Sequence, residues 1–329
     1  MDTMNKLSSV LMIAHYTLKY FDMSQTEMRD GVFQALSLHV ANNNSQLVKV
    51  YVAPMCLYMI EWQLKDLPSL IASNDRVAKL EQQVNDLVNA LNRFLHATNS
   101  NTRAMAFKVL CRLLELFCAT SEFIKGLPSS IQIQPSVLMT EWLNFNLNVL
   151  VPHNVTYTDS QKFQVAAKHL KRYCNLLSSG ILDISYLSSV LPHFSLYLKD
   201  GNYNVVLRKL IEELSSNASL PTILVYSLAN INIHQGQSPC KMIAEGLAHV
   251  LFSQLKEEDK LRNLNWDILY AGSSYILKNE EFSLLQPLSC FVKFITKDEA
   301  IKVKAQIVPL FSGVSNNTEV QQYLNSFPV

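Results

Sequence analysis

Residues 104–118 read AMAFKVLCRLLELFC, and only Lys108, Arg112 and Glu115 among them are charged. Steps of four and three put those three in one narrow stripe of a 3.6-residue helix, with small or apolar residues in every other direction. A surface helix keeps a broad polar face, so this one has to be covered on more than one side. The pattern recurs: in AEGLAHVLFSQLK (244–256) Glu245, His249, Ser253 and Lys256 form one stripe, and LPTILVYSLANI (220–231) is apolar almost all round. Such stretches alternate with amphipathic ones such as DRVAKLEQQVNDLVNAL (75–91). Stacked helical hairpins require this mixture, because one pair cannot bury all its apolar faces and leans on the next.

Helical periodicity dominates, and strand-like alternation is almost absent. Breakers recur at residues 42–45, 66–68, 98–101, 126–130, 152–154, 199–201, 236–239 and 278–279 and at Gly313. About a dozen to fourteen helices of two to five turns fit between them. Ser73, Asn74 and Asp75 supply capping chemistry for one start, and Asp159 and Ser160 for another. Pro54, inside LVKVYVAPMCLYMIEWQL (47–64), is expected to kink or split its helix. The expected fold is all-α, a HEAT-like helical-repeat solenoid of about six to seven hairpins. With no Pro/Gly/Ser-rich linker and no break in composition, residues 1–329 are read as one elongated domain. Residues 104–118 would form an inner helix whose stripe looks onto a concave groove.

The chemistry that defines common enzymes is missing. There is no GxGxxG or GxxxxGK[ST] among only 8 glycines, and no HExxH, DDxxD or GxSxG. His15, His39, His96, His153, His169, His193, His234 and His249 are scattered, with none paired at three or four residues as metal ligands on a helix would be. The expectation is a non-enzymatic protein with no cofactor, metal or small-molecule substrate. Cys56, Cys111, Cys118, Cys174, Cys240 and Cys290 form no CxxC pair and read as buried free thiols of a reducing compartment. Asn154-Val-Thr and Asn217-Ala-Ser match the glycosylation tripeptide, but MDTMNKLSSVLMIAHYTLKYF lacks the plan of a signal peptide, so both are read as chance. No uninterrupted apolar run reaches the ~18 residues of a membrane span, and a soluble intracellular chain with no membrane partner is expected.

Two polar signals remain. Lys168, Lys171 and Arg172 share one helical face, with Lys162 close to it. That face is either simply solvated or a contact for phosphate, DNA or an acidic partner. A formal net charge of +1 favours auxiliary over primary nucleic-acid recognition. Trp62, Trp142 and Trp266 each neighbour an acidic residue on a predicted helix, and core packing is expected for all three.

Six segments run in order: IEWQL (60–64), NRFL (92–95), NTRAMAFKVLCRLLELF (101–117), RYCNLLSSGILDI (172–184), GNYNVVLRKLIEEL (201–214) and KMIAEGLAHVLFSQLKEEDKL (241–261). In order and spacing they resemble stromalin, the SA/Scc-type HEAT-repeat subunit of the cohesin ring, in the carboxy-terminal half of its solenoid and over about residues 45–300. The resemblance implies a nuclear, chromosome-associated scaffold that docks on a kleisin and supports sister-chromatid cohesion or homologue conjunction. It implies a concave side that receives the kleisin and basic patches that touch DNA. The family's amino-terminal half has no counterpart here. An acidic family position that pairs with the kleisin falls on Arg112, and a basic one falls on Asn175.

A reversed charge in a contact costs several kcal/mol against the old partner. The groove ligand is therefore expected to have changed, as in a diverged, meiosis-specialised relative. Lys108, Arg112, Glu115 and Asn175 are the expected groove residues for a kleisin or kleisin-like partner, and Lys162, Lys168, Lys171 and Arg172 the residues for nucleic acid or an acidic partner. The competing reading is an unrelated HEAT-type adaptor for protein transport or trafficking.

Overall fold

The computed structural model describes residues 2–20, 46–151, 160–194, 201–252 and 259–328. The breakers at 42–45, 152–154 and 199–200, and the capping residue Asp159, lie outside them. Everything regular among the described residues is helical, and no strand occurs there. The chain forms two compact units, Met1–Leu150 and Val151–Val329.

The first unit holds α1 (Asp2–Tyr20), α2 (Gln46–Lys65), α3 (Leu67–Ile71), α4 (Asn74–Leu95), α5 (Ser100–Phe117) and α6 (Val137–Leu150). The local signals behave as the residue chemistry dictates. Ser73 caps α4, its Oγ accepting from the Arg76 N–H at 3.4 Å, and Asn99 caps α5, its Oδ1 accepting from the Thr102 N–H at 3.0 Å. Pro54 does not split its helix: α2 runs through it unbroken. Val52, Ala53, Met55, Cys56, Leu57, Met59 and Ile60 around it are all buried, so packing on several sides holds the helix despite the lost backbone donor.

Helix α5 is the apolar centre of this unit. It packs on α2, α4 and α6, and the short turn Glu122–Ile124 closes over it. Met105, Ala106, Phe107, Val109, Leu110, Cys111, Leu113, Leu114, Leu116 and Phe117 are all buried. Fully burying a Leu or Phe side chain is worth about 1.5–3 kcal/mol, so this helix is held by its neighbours rather than by its propensity.

The second unit holds α7 (Ser160–Ser178), α8 (Leu187–Phe194), α9 (Gly201–Leu214), α10 (Leu220–Gln235), α11 (Gln237–Phe252), α12 (Asp259–Asn279), α13 (Leu285–Val292), α14 (Lys297–Ile307) and α15 (Thr318–Asn325). Alternate helices are neighbours: α7, α9, α11, α13 and α15 follow one another in one row, and α8, α10, α12 and α14 in a second. Consecutive helices such as α10 and α11 join the rows. Gly236 ends α10 at a φ of +91° with extended ψ, a positive-φ conformation that only glycine adopts without strain. Thr296 and Glu299 form a complete capping box at the start of α14.

At the crossing of α12 and α13 a glycine makes room for a leucine. A Cβ on Gly272 would lie 2.5 Å from Cδ1 and 2.7 Å from Cδ2 of the fully buried Leu288. Gly272→Val is expected to destabilise the protein by about 1–3 kcal/mol, because a packed core does not absorb an inserted branched side chain. Urea unfolding of Gly272→Val, Leu288→Ala and the double variant checks this. In the double variant the valine penalty shrinks, since the obstructing leucine is gone.

Candidate partner-binding surface

The stripe of α5 survives folding as its solvent side. Lys108 is exposed, and Arg112 and Glu115 are half-buried, with buried residues flanking each of them. The cause is the spacing itself, since residues three and four apart share one face and all the others turn inward.

Arg112 does not stand open to a ligand. Its Nε donates to Glu61 Oε1 at 2.8 Å, its Nη1 donates to Glu115 Oε2 at 3.3 Å, and its guanidinium lies 5.6 Å from the centre of the Phe123 ring. Glu61 comes from α2 and Phe123 from the turn after α5, so the arginine ties three separate pieces of the unit together. Burial opposes its charge, but the hydrogen bonds and charges of Glu61 and then Glu115 outweigh that and raise its pKa. Two carboxylates and the two cations Lys108 and Arg112 leave the stripe formally neutral. The sequence reading takes Arg112 as an outward contact and does not identify Glu61. The signal for Glu61 was present, since it is the sole acid of α2.

At the stripe's other end α1 packs on α2 through His15. Its ring lies 5.5 Å from that of Tyr58, 5.9 Å from Tyr51 and 5.7 Å from Tyr16, and its Nδ1 is buried without a hydrogen-bond partner. Burial, then Lys108, then Lys19 push its pKa below the ordinary 6.5. Lys108 thus faces the α1–α2 contact, which ties the stripe to the packing of the first helix.

The remaining site residues lie in the second unit. Lys168 and Lys171 are exposed on α7, and Arg172 and Asn175 are half-exposed on the same face. Lys162 belongs to the same helix, with its side chain outside the described residues. The backbone carbonyl of Asn175 accepts from Ser178 Oγ at 3.1 Å and Ser179 Oγ at 2.7 Å, so this residue also shapes the end of α7. Helix α7 contains no acid, whereas on α9 Arg208 pairs with Glu212 at 2.5 Å and Lys209 with Glu213 at 3.5 Å.

Of the three tryptophans only Trp62 is a core residue. Trp142 is half-exposed, with its ring 3.6 Å from that of His96 and 5.4 Å from Phe145. Trp266 is half-exposed too, although its Nε1 is buried without a partner. All six cysteines are free and buried. Among the described residues no group of His, Cys, Asp and Glu is arranged to hold a metal, and no helix is long and apolar enough to cross a membrane.

Two measurements check this geometry. A double-mutant cycle on Glu61→Gln and Arg112→Met is expected to give a coupling of about 0.5–1 kcal/mol, the size for a partly exposed ion pair. For His15 the folded pKa is depressed, so its contribution is complete above 6.5 and is lost as pH falls through the lower folded value. The protection factors of the α1 amides, corrected for intrinsic exchange, should therefore fall as the pH drops below 6.5, and His15→Phe should remove that fall. No protein-family model matches the chain.

Proposed function

We propose that the chain is a non-enzymatic, stromalin-like scaffold of the nucleus. In this reading its paired helix rows form a HEAT-like solenoid, and a kleisin or kleisin-like meiotic protein lies along the α5 stripe to support chromosome cohesion or conjunction. The observation that carries the reading is α5 itself, buried on every side except one thin ionisable line. An extended polypeptide matches such a line, because a strand-like chain presents side chains and backbone groups in one row.

The clasp on Arg112 sharpens what the partner supplies. An acidic partner residue would have to displace Glu61 and Glu115, and a basic one would meet Lys108. The fitting segment is therefore uncharged at this point. It makes hydrogen bonds to the stripe and apolar contact with Phe123, which is 51% exposed. The basic face of α7 is, in the same reading, an auxiliary contact for phosphate.

Retention of nuclear proteins by the intact chain tests this. Wild type is expected to hold a kleisin-like protein, and Lys108→Glu and Phe123→Ala should each reduce its recovery about tenfold while the helical far-UV signal stays intact. Equal recovery by both variants, or capture of vesicle and cytoplasmic transport proteins instead, would overturn it.

A further inference from the structure

Helix α10 carries no Asp, Glu, Lys or Arg in its 16 residues. Even so, Tyr226 and Ile233, seven residues apart on one face, are 49% and 57% exposed. Solvated helix faces are normally rich in charge, whereas a tyrosine-bearing, charge-poor face has the composition of the centre of an interface. Its row neighbour α12 adds Tyr270, also exposed, and Tyr275. The Tyr226 and Tyr275 rings stand 5.0 Å apart at 80°, two walls of a corner.

A carboxylate completes it. Tyr275 Oη donates to Glu281 Oε1 at 3.4 Å, while Oε2 of Glu281 is shielded without a hydrogen-bond partner. Among the described residues no cation pairs with Glu281, and the nearby Lys278 forms no ion pair with it. Backbone geometry fixes the carboxylate in place. Glu280 takes a left-handed φ of +57°, unusual outside glycine, and this folds the chain back so that the Glu281 N–H reaches the Ile276 carbonyl at 3.2 Å. The turn that follows is pinned to the junction of α10 and α11, with Asn232 Nδ2 donating to Ser283 Oγ at 2.8 Å and Gln237 Nε2 to the Ser283 carbonyl at 3.1 Å.

We propose that the Tyr226–Tyr275–Glu281 corner is a binding site for an arginine side chain on a basic segment of a partner protein. Aromatic faces attract cations, and the negative charge behind them is unmatched within the described chain. A guanidinium can stack on Tyr226, which is 49% exposed, and feel the carboxylate without having to reach its shielded oxygen, whereas a compact ammonium needs the closer approach. Ile233, two turns along the Tyr226 face and 57% exposed, offers apolar footing for a residue beside the arginine, which selects a peptide over a free amino acid. The site belongs to the second unit and stands or falls independently of the α5 groove.

The test uses the full chain and a short fluorescein-labelled peptide with one arginine between leucines, alongside copies carrying citrulline or lysine in its place. The arginine peptide is expected to bind saturably and the citrulline copy about tenfold more weakly. Glu281→Gln and Tyr226→Leu should each weaken the arginine peptide at least about threefold, while Tyr226→Phe, which keeps the ring, should not. Glu213→Gln on α9 removes the same formal charge elsewhere and should leave binding unchanged. Equal affinity for the citrulline copy, equal losses in Glu281→Gln and Glu213→Gln, or no saturable binding would overturn the proposal. Equal affinity for the lysine copy would overturn the choice of guanidinium. The peptide comparison needs no variant, so it decides even where a substitution disturbs folding.

Discussion

A helix that is apolar on several sides has to be enclosed on several sides, and the architecture of both units follows from that requirement. Helix α5 is enclosed by α2, α4 and α6, and α10 by α8, α11 and α12. Each enclosing helix buries one face against its apolar neighbour and keeps another for the next element, so consecutive and alternate helices are in contact at once. In the second unit this gives two rows built from local contacts. Such nearest-neighbour packing stabilises a chain without any long-range sheet or disulfide.

Enclosure on this scale strands polar groups, and the units answer with buried amides. Asn146 on α6 is fully buried and donates to the carbonyl of Leu95, the last residue of α4, at 3.2 Å, and to Trp142 at 2.8 Å. Asn265 on α12, equally buried, donates to the Phe291 carbonyl near the end of α13 at 3.3 Å. Carbonyls at a helix end lack partners within the helix, so a side-chain donor there removes a desolvation penalty of about 1–3 kcal/mol. The Arg112 clasp follows the same logic at the surface, where a half-buried cation is matched from within the chain.

Much of this was legible in the residues. The 104–118 stripe defined which side of α5 meets solvent, Ser73 marked a real helix start, and the breaker at 98–101 falls where α4 gives way to α5. What the periodicity could not convey is which neighbour faces that side. Glu61 lies 51 residues from Arg112, and no local spacing links them. Trp142 was expected in the core because tryptophan usually buries, yet it sits on the open side of the last helix of its unit, where His96 and Phe145 are its cover. The Tyr226–Tyr275 corner was equally invisible, being made by two helices of one row. Its trace in the sequence is the absence of charge along α10, which reads as a helix to be covered and does not reveal which of its residues stay exposed. The split that Pro54 could have made is absent because the apolar shell around the residue outweighs one lost backbone hydrogen bond.

The placement of the six sulfurs has a practical consequence. Cys56, Cys111 and Cys118 fall in the first unit and Cys174, Cys240 and Cys290 in the second. Desolvation pushes the Cys290 thiol to about 11 and the Cys240 thiol to about 12, with Cys290 itself adding to the latter. Thiolate is the reactive form, so an alkylating reagent meets almost none while the helices stay closed. Each half of the molecule therefore carries its own silent reporters, and mass mapping of modified sulfurs after brief heating would reveal which half loosens first.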